Sequence, residues 1–206
     1  MLADRDPPPV SSAGIEREAA DETALMARVA AGDGGAFQPL VNGHAVRLRR
    51  IAYRMLGDVG EAEDVAQEAL LRLWRDAARW RPERAGPAAW LNRVTVNLCL
   101  DRLRRTRFVV TEQVPERACD GPSADALIEA DQQKAAVVAA IAQLSDRQRA
   151  AIVLTYYEGL SNAMAADALD LNLKAFESLL HRARQTLKAA LVQAGIAEHP
   201  AGGANR

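Results

Sequence analysis

From Glu22 onward, apolar side chains recur every three or four residues. Gly, Pro or a capping Ser, Asp or Asn breaks the runs, a pattern that specifies amphipathic helices and leaves little room for strands. Phe37, Leu40, Val41, Leu48, Ile51, Ala52 and Met55 form one stripe, which Gly57 ends and Asp58 follows as a helix opener. Ala62, Val65, Ala66, Ala69, Leu73 and Ala77 form a second. Pro82, Gly86 and Pro87 mark a loop, and a further helix is expected over 88–107 with Leu91, Val94 and Leu98 inward. Ser145 with Gln148 reads as a capping box, Gly159 as a stop and Ser161 as the cap of a short helix. Asp170-Leu171-Asn172 reads as a tight turn before a last helix over 173–191. Alanine supplies 42 of the 101 hydrophobic residues and only nine residues are aromatic, so the cores are thin and helix is favoured throughout. The expected class is all-α: two small helical domains joined by a flexible linker, the second a helix-turn-helix.

Charge divides the chain at the same places. The formal net charge of −1 conceals −3 over residues 1–21, +5 over 22–107, −4 over 108–134 and +1 over 135–191. The expected organisation is therefore a disordered tail (1–21), a basic helical domain (22–107), an acidic linker (108–134), a helix-turn-helix domain (135–195) and a second tail (196–206). Arg outnumbers Lys 23 to 3, which suits bidentate phosphate contacts, although a codon bias that also enriches Ala accounts for it equally. No apolar run reaches the roughly 20 residues of a membrane span, and the N-terminus lacks the apolar core of a secretory signal. Cys99 and Cys119 fit a reducing cytoplasm better than a disulfide framework. His44, His181 and His199 are scattered, no Cys/His cluster has metal-ligand spacing, and no Gly-rich phosphate loop follows a strand. No cofactor, metal, small-molecule substrate or enzymatic activity is expected.

Three constellations are candidates for function. In the segment 58–74, Asp64, Gln67 and Leu71 share a face opposite the Ala/Val stripe, which is either a partner-binding face or a well-capped surface helix. Around the 80–107 segment, Trp80 and Trp90 flank a loop, and Arg93, Asn97 and Arg104 follow on one side of a helix. Aromatics stack on unpaired bases and guanidinium and amide groups bind phosphates and base edges; the alternative is core Trp residues beside a solvated basic end. In the segment 145–188, the helix-turn-helix exposes Asn172, Lys174, Glu177, Ser178, His181 and Arg182 on its second helix.

The block Asp58-x-x-Glu61-Ala62-Glu63-Asp64-x-x-Gln67-Glu68-x-x-Leu71-x-x-Trp74 resembles the signature of bacterial RNA polymerase sigma factors. The short length and order of parts are similar to the extracytoplasmic-function type. The resemblance implies that Asp64, Gln67, Glu68 and Leu71 dock on core RNA polymerase. It implies that Trp80, Asn92, Arg93, Asn97, Arg104 and Arg105 engage the −10 element of promoter DNA as it opens. It further implies that Asn172, Lys174, Glu177, Ser178, His181 and Arg182 read the −35 element, and that an anti-sigma factor is a partner. The last domain departs from the family pattern: Asp170 stands where Gly is usual, Met164-Ala165-Ala166 where Glu-Ile-Ala is usual, and Glu177 and Leu179 where the recognition helix is usually cationic. An acid beside phosphate is unfavourable, so an altered −35 preference is expected. A sigma-like decoy that sequesters an anti-sigma factor, and an ordinary helix-turn-helix regulator, are the alternatives. The decoy lacks support from any added receiver domain, and the regulator leaves the 58–74 signature unexplained.

Overall fold

The computed structural model describes residues 12–80, 86–110, 137 and 139–195. Helices α1 (Ser12–Ala30), α2 (Phe37–Leu56), α3 (Val59–Asp76) and α4 (Pro87–Val110) form the first module. Helices α5 (Asp146–Ile152), α6 (Asn162–Ala168) and α7 (Leu173–Gln193) form the second. No strand occurs among the described residues.

The punctuation read from sequence is the punctuation observed. Gly57 takes a left-handed φ of 75° and ends α2, and the Asp58 carboxylate accepts from the Glu61 amide at 2.8 Å to open α3. Ser145 and Gln148 make the reciprocal capping box at α5. Ser161 caps α6, and Pro87 stands at the first position of α4, where its missing N–H costs nothing. The turn before Gly159 differs from expectation: α5 widens into a π turn over Val153–Tyr157, closed by Glu158 N–H donating to Val153 O at 3.1 Å.

Two boundaries also differ. The chain is helical from Ser12, inside the expected tail of 1–21, and α1 runs on to Ala30. Glu16, Glu18, Ala19 and Ala20 are strong helix formers without an apolar stripe, so periodicity alone passes over them. Helix α4 continues to Val110, three residues into the expected linker. The rest of that linker, the loop at 81–85 and the tail at 196–206 lie outside the described residues.

Alanine lets the helices lie close. The expected stripe Ala62, Val65, Ala66, Ala69, Leu73 and Ala77 is buried throughout, facing α2 through Leu48, Ile51, Ala52 and Met55. Burying one large aliphatic side chain stabilises by about 1.5–3 kcal/mol and an Ala by much less, so stability rests on a few large groups. Met26, Leu40, Leu91, Leu154, Leu169, Phe176 and Leu180 are among them. Helix α4 packs on α2 and α3 within the first module and on α6 in the second, while α2 meets α5 and the π turn. The buried side chains of both modules thus form one continuous core.

Cys99 lies in that core, and burial pushes its thiol up to about 12, with Arg102 opposing weakly. At about pH 8 only about one thiol in ten thousand is then thiolate, the nucleophilic form. Iodoacetamide is expected to leave Cys99 unlabelled in the folded chain and to label it in denaturant, as read by peptide mapping. Equal labelling rates would mean that α4 is not packed as described.

Candidate functional site

Helix α3 turns its acidic, polar side outward. Asp64, Gln67, Glu68 and Leu71 line one cleft between α3 and α4, together with Arg72, Leu98, Asp101, Arg102 and Arg105. Leu71 is 47% exposed, an apolar group ringed by charge. Two ion pairs set the walls. Arg72 Nε donates to Glu68 Oε1 at 2.8 Å, one turn away, and this holds the Glu68 carboxyl below the usual carboxylate range. Arg102 of α4 donates to both the carboxylate and the backbone carbonyl of Glu61, tying the start of α3 to α4. The four side chains predicted on the partner-binding face therefore come together, and Arg105, predicted for DNA, shares their cleft. Arg72, Asp101 and Arg102 were not among the site residues predicted from sequence.

The residues predicted for the second constellation separate. Asn97, Arg104 and Arg105 are exposed on α4, with Arg104 Nη2 donating to Asp101 at 2.8 Å. Asn92 is 2% exposed and buried beside Leu91. Trp80 and Trp90 are half-buried and pack against the core. Trp74 is 41% exposed, with its ring edge-on to Phe37 at 5.0 Å. Arg93 reaches out of α4 to the second module, where Nη2 donates to Asp170 Oδ1 at 2.6 Å.

Helix α7 presents Lys174, Glu177, Ser178, His181 and Arg182 to solvent on one face, while Phe176, Leu180 and Ala183 hold the opposite face in the core. All six residues predicted there are exposed. Asn172 has a structural task as well: its Oδ1 accepts from the Ala175 amide at 2.8 Å and caps α7. The preceding turn places Asp170 at φ 55°, a left-handed conformation that costs most non-Gly residues about 1–2 kcal/mol, less for Asp. Its ion pair with Arg93 is exposed on both sides and worth about 0–1 kcal/mol.

A further cluster had no sequence prediction. Glu158, after the π turn, has no exposed side-chain surface. It accepts from Arg50 Nε and Nη2 at 2.9 and 2.6 Å and from Arg54 Nη1 at 3.1 Å, with Arg47 Nε at 3.7 Å. Its only sequence trace is the arginine spacing Arg47, Arg50, Arg54 along one side of α2.

Among the described residues no group of three or more His, Cys, Asp or Glu side chains is placed to hold a metal ion. No described helix is long and apolar enough to cross a membrane.

The chain matches the family models Sigma-70 region 2 over residues 40–109 and Sigma-70, region 4, over residues 134–187. The first covers α2–α4 almost whole and the second the helix-turn-helix. The ECF RNA polymerase sigma factor SigE of Mycolicibacterium smegmatis is 34% identical over 195 residues, covering 87% of this chain and 75% of that protein. The ECF RNA polymerase sigma factor SigL of Mycobacterium tuberculosis is 36% identical over 180 residues, covering 83% of this chain and 99% of that protein. Among solved structures, CnrH in complex with the cytosolic domain of CnrY is similar with a TM-score of 0.63 and 28% identity, covering 84% of this chain and 98% of that one. The sigma factor RpoE of Bartonella quintana, solved with the anti-sigma factor NepR, has the same fold, with a TM-score of 0.59 and 23% identity over 76% of this chain and 96% of that one. With region 2 and region 4 both present and full-length relatives above 30% identity, the chain belongs to the ECF RNA polymerase sigma factors.

Proposed function

We propose that the protein is a non-catalytic initiation factor of the cytoplasm. It binds core RNA polymerase through the α3–α4 cleft, opens and holds the −10 element with α4, and reads the −35 element with α7. The single observation that carries the reading is the convergence of Asp64, Gln67, Glu68 and Leu71 in one cleft. A half-exposed leucine within a charged rim is the usual make-up of a helix-docking surface. Asn97, Arg104 and Arg105 supply amide and guanidinium groups to an unpaired strand, and Trp80 and Arg93 complete the −10 group, while the buried Asn92 supports α4 from within. Lys174, Ser178, His181 and Arg182 face the −35 groove with Asn172 at the helix start, while Glu177 repels phosphate and narrows the sequences tolerated there. The polymerase supplies the chemistry. An anti-sigma factor is a partner by analogy with the complexes of CnrH and of RpoE from Bartonella quintana.

Adding the purified chain to core polymerase and genomic DNA is expected to yield transcripts starting at a small set of promoters. Core binding without initiation at any promoter would instead make the chain a decoy for an anti-sigma factor. Tight duplex binding without polymerase would make it a free-standing regulator.

A further inference from the structure

Helix α7 carries two stripes of exposed side chains that are chemically unlike. Along the first, the polar groups are engaged with the helix itself. Ser178 Oγ donates to Lys174 O at 2.9 Å, Arg182 Nε to Ser178 O at 3.3 Å and Thr186 Oγ1 to Arg182 O at 3.1 Å. The Lys174 ammonium and the terminal amino groups of Arg182 still reach outward, and both suit phosphate. The second stripe is Leu173, Glu177 and His181, one helical turn apart in succession. All three are exposed, and Leu173 keeps 47% of its surface open. Among the described residues Glu177 makes no hydrogen bond or ion pair, although Lys174 and His181 stand within a turn of it.

From this division we propose that the first stripe holds the DNA backbone and the second reads bases, Glu177 selecting a cytosine and Leu173 a nearby thymine. The assignment rests on the −35 role proposed above for α7. A carboxylate in the major groove loses hydration and can only accept hydrogen bonds. Guanine and thymine present acceptors at that edge, so they leave it unpaired and repelled, whereas the cytosine N4 amine donates to it. Adenine N6 also donates, but the N7 acceptor on the same edge suits an amide and not a carboxylate. Because Glu177 has no partner within the protein, it breaks no bond to make this one. Leu173 stands at the first position of α7, the end of a recognition helix that meets base edges. Its side chain has no hydrogen-bonding group, and its complement in the groove is the thymine methyl. Four residues of helix rise about 6 Å and stacked base pairs about 3.4 Å each, so the two contacts fall one or two base pairs apart. The acid that departs from the family's cationic pattern is then a base reader, not a weakened phosphate contact.

The test incubates the tagged full chain, with and without core polymerase, with duplex DNA carrying a randomised block, and sequences the DNA retained. The unaltered chain is expected to enrich cytosine about tenfold at one base pair, with thymine one or two pairs away. Glu177→Gln is expected to exchange that cytosine for adenine, whose N6 and N7 an amide binds together, and to leave the thymine in place. Deoxyuridine in place of the selected thymine removes one methyl group. It is expected to weaken binding by the unaltered chain about fourfold and binding by Leu173→Ala not at all. Both substitutions fall at exposed helical positions, and circular dichroism checks that the fold is kept. A cytosine preference that survives Glu177→Gln, or adenine already enriched by the unaltered chain, overturns the role of Glu177. An equal loss from deoxyuridine in both chains overturns that of Leu173, and the absence of any enriched sequence overturns both. Transcription of genomic DNA by the same mixture is scored separately. The expected enrichment in a chain that supports no transcription leaves base reading standing and removes only the initiation function. Promoter-specific transcripts without the exchange at Glu177 do the reverse.

Discussion

A chain carrying Asp64→Arg and Leu71→Ala is expected to bind core RNA polymerase at least about tenfold more weakly, with its fold unchanged. Leu71 is the exposed large apolar side chain of α3 that lines the α3–α4 cleft, where Asp64, Gln67, Glu68 and Arg72 surround it. An apolar anchor at the centre of a polar rim carries a disproportionate share of binding energy, and truncating such a group typically costs more than 1 kcal/mol. Reversing the charge at Asp64 adds repulsion against any cationic partner and slows association. Each 1.4 kcal/mol is a factor of about ten in affinity. Both residues are exposed, so helix content and thermal midpoint should stay close to those of the parent. Fluorescence titration of labelled chain with core polymerase measures the loss, and circular dichroism checks the fold. An unaltered affinity would take the cleft out of the proposed function.

The local devices of this fold were legible because their signals are local. Gly57-Asp58, Ser145 with Gln148, and Ser161 each act within one helical turn, so composition and spacing suffice to place them. The α3 stripe and the exposed face of α7 follow from a period of 3.6. Effects between elements far apart in sequence were not legible. Asn92 reads as an exposed polar group on a basic helix, yet α4 is covered by neighbours from both modules and leaves it 2% exposed. Glu158 and its arginines are more than a hundred residues apart, and nothing near Gly159 marks the glutamate as buried. Asn172 was read as a DNA contact because it sits at the entrance of the recognition helix, where the same placement makes it the cap. The start of α1 was missed for the opposite reason: its propensity is high, but it carries no stripe for periodicity to find.

Phe176→Ala is expected to cost about 3–5 kcal/mol, the usual range for deleting a buried aromatic ring. The residue is 0% exposed in the first turn of α7, where a smaller side chain cannot be compensated by its Ala-rich surroundings. Domains of this size are stable by only about 5–15 kcal/mol, so the variant sits near the edge of unfolding. Helix α7 carries the whole recognition face and shares its core with the first module, so on warming selective initiation and core binding at the α3–α4 cleft should fail together. The chain has its own reporter for how far the damage spreads. Trp74, Trp80 and Trp90 all lie in the first module and the second has no tryptophan, whereas the helical signal comes from both. Because one continuous core joins the modules, the tryptophan transition of Phe176→Ala in urea should move to lower denaturant together with the helical transition. A helical transition that splits, with the tryptophan step left at its original midpoint, would mean that the modules unfold independently and that the shared core adds little to either. A loss below about 1 kcal/mol would mean instead that Phe176 is not packed in the core, and the described seating of α7 would fall with it.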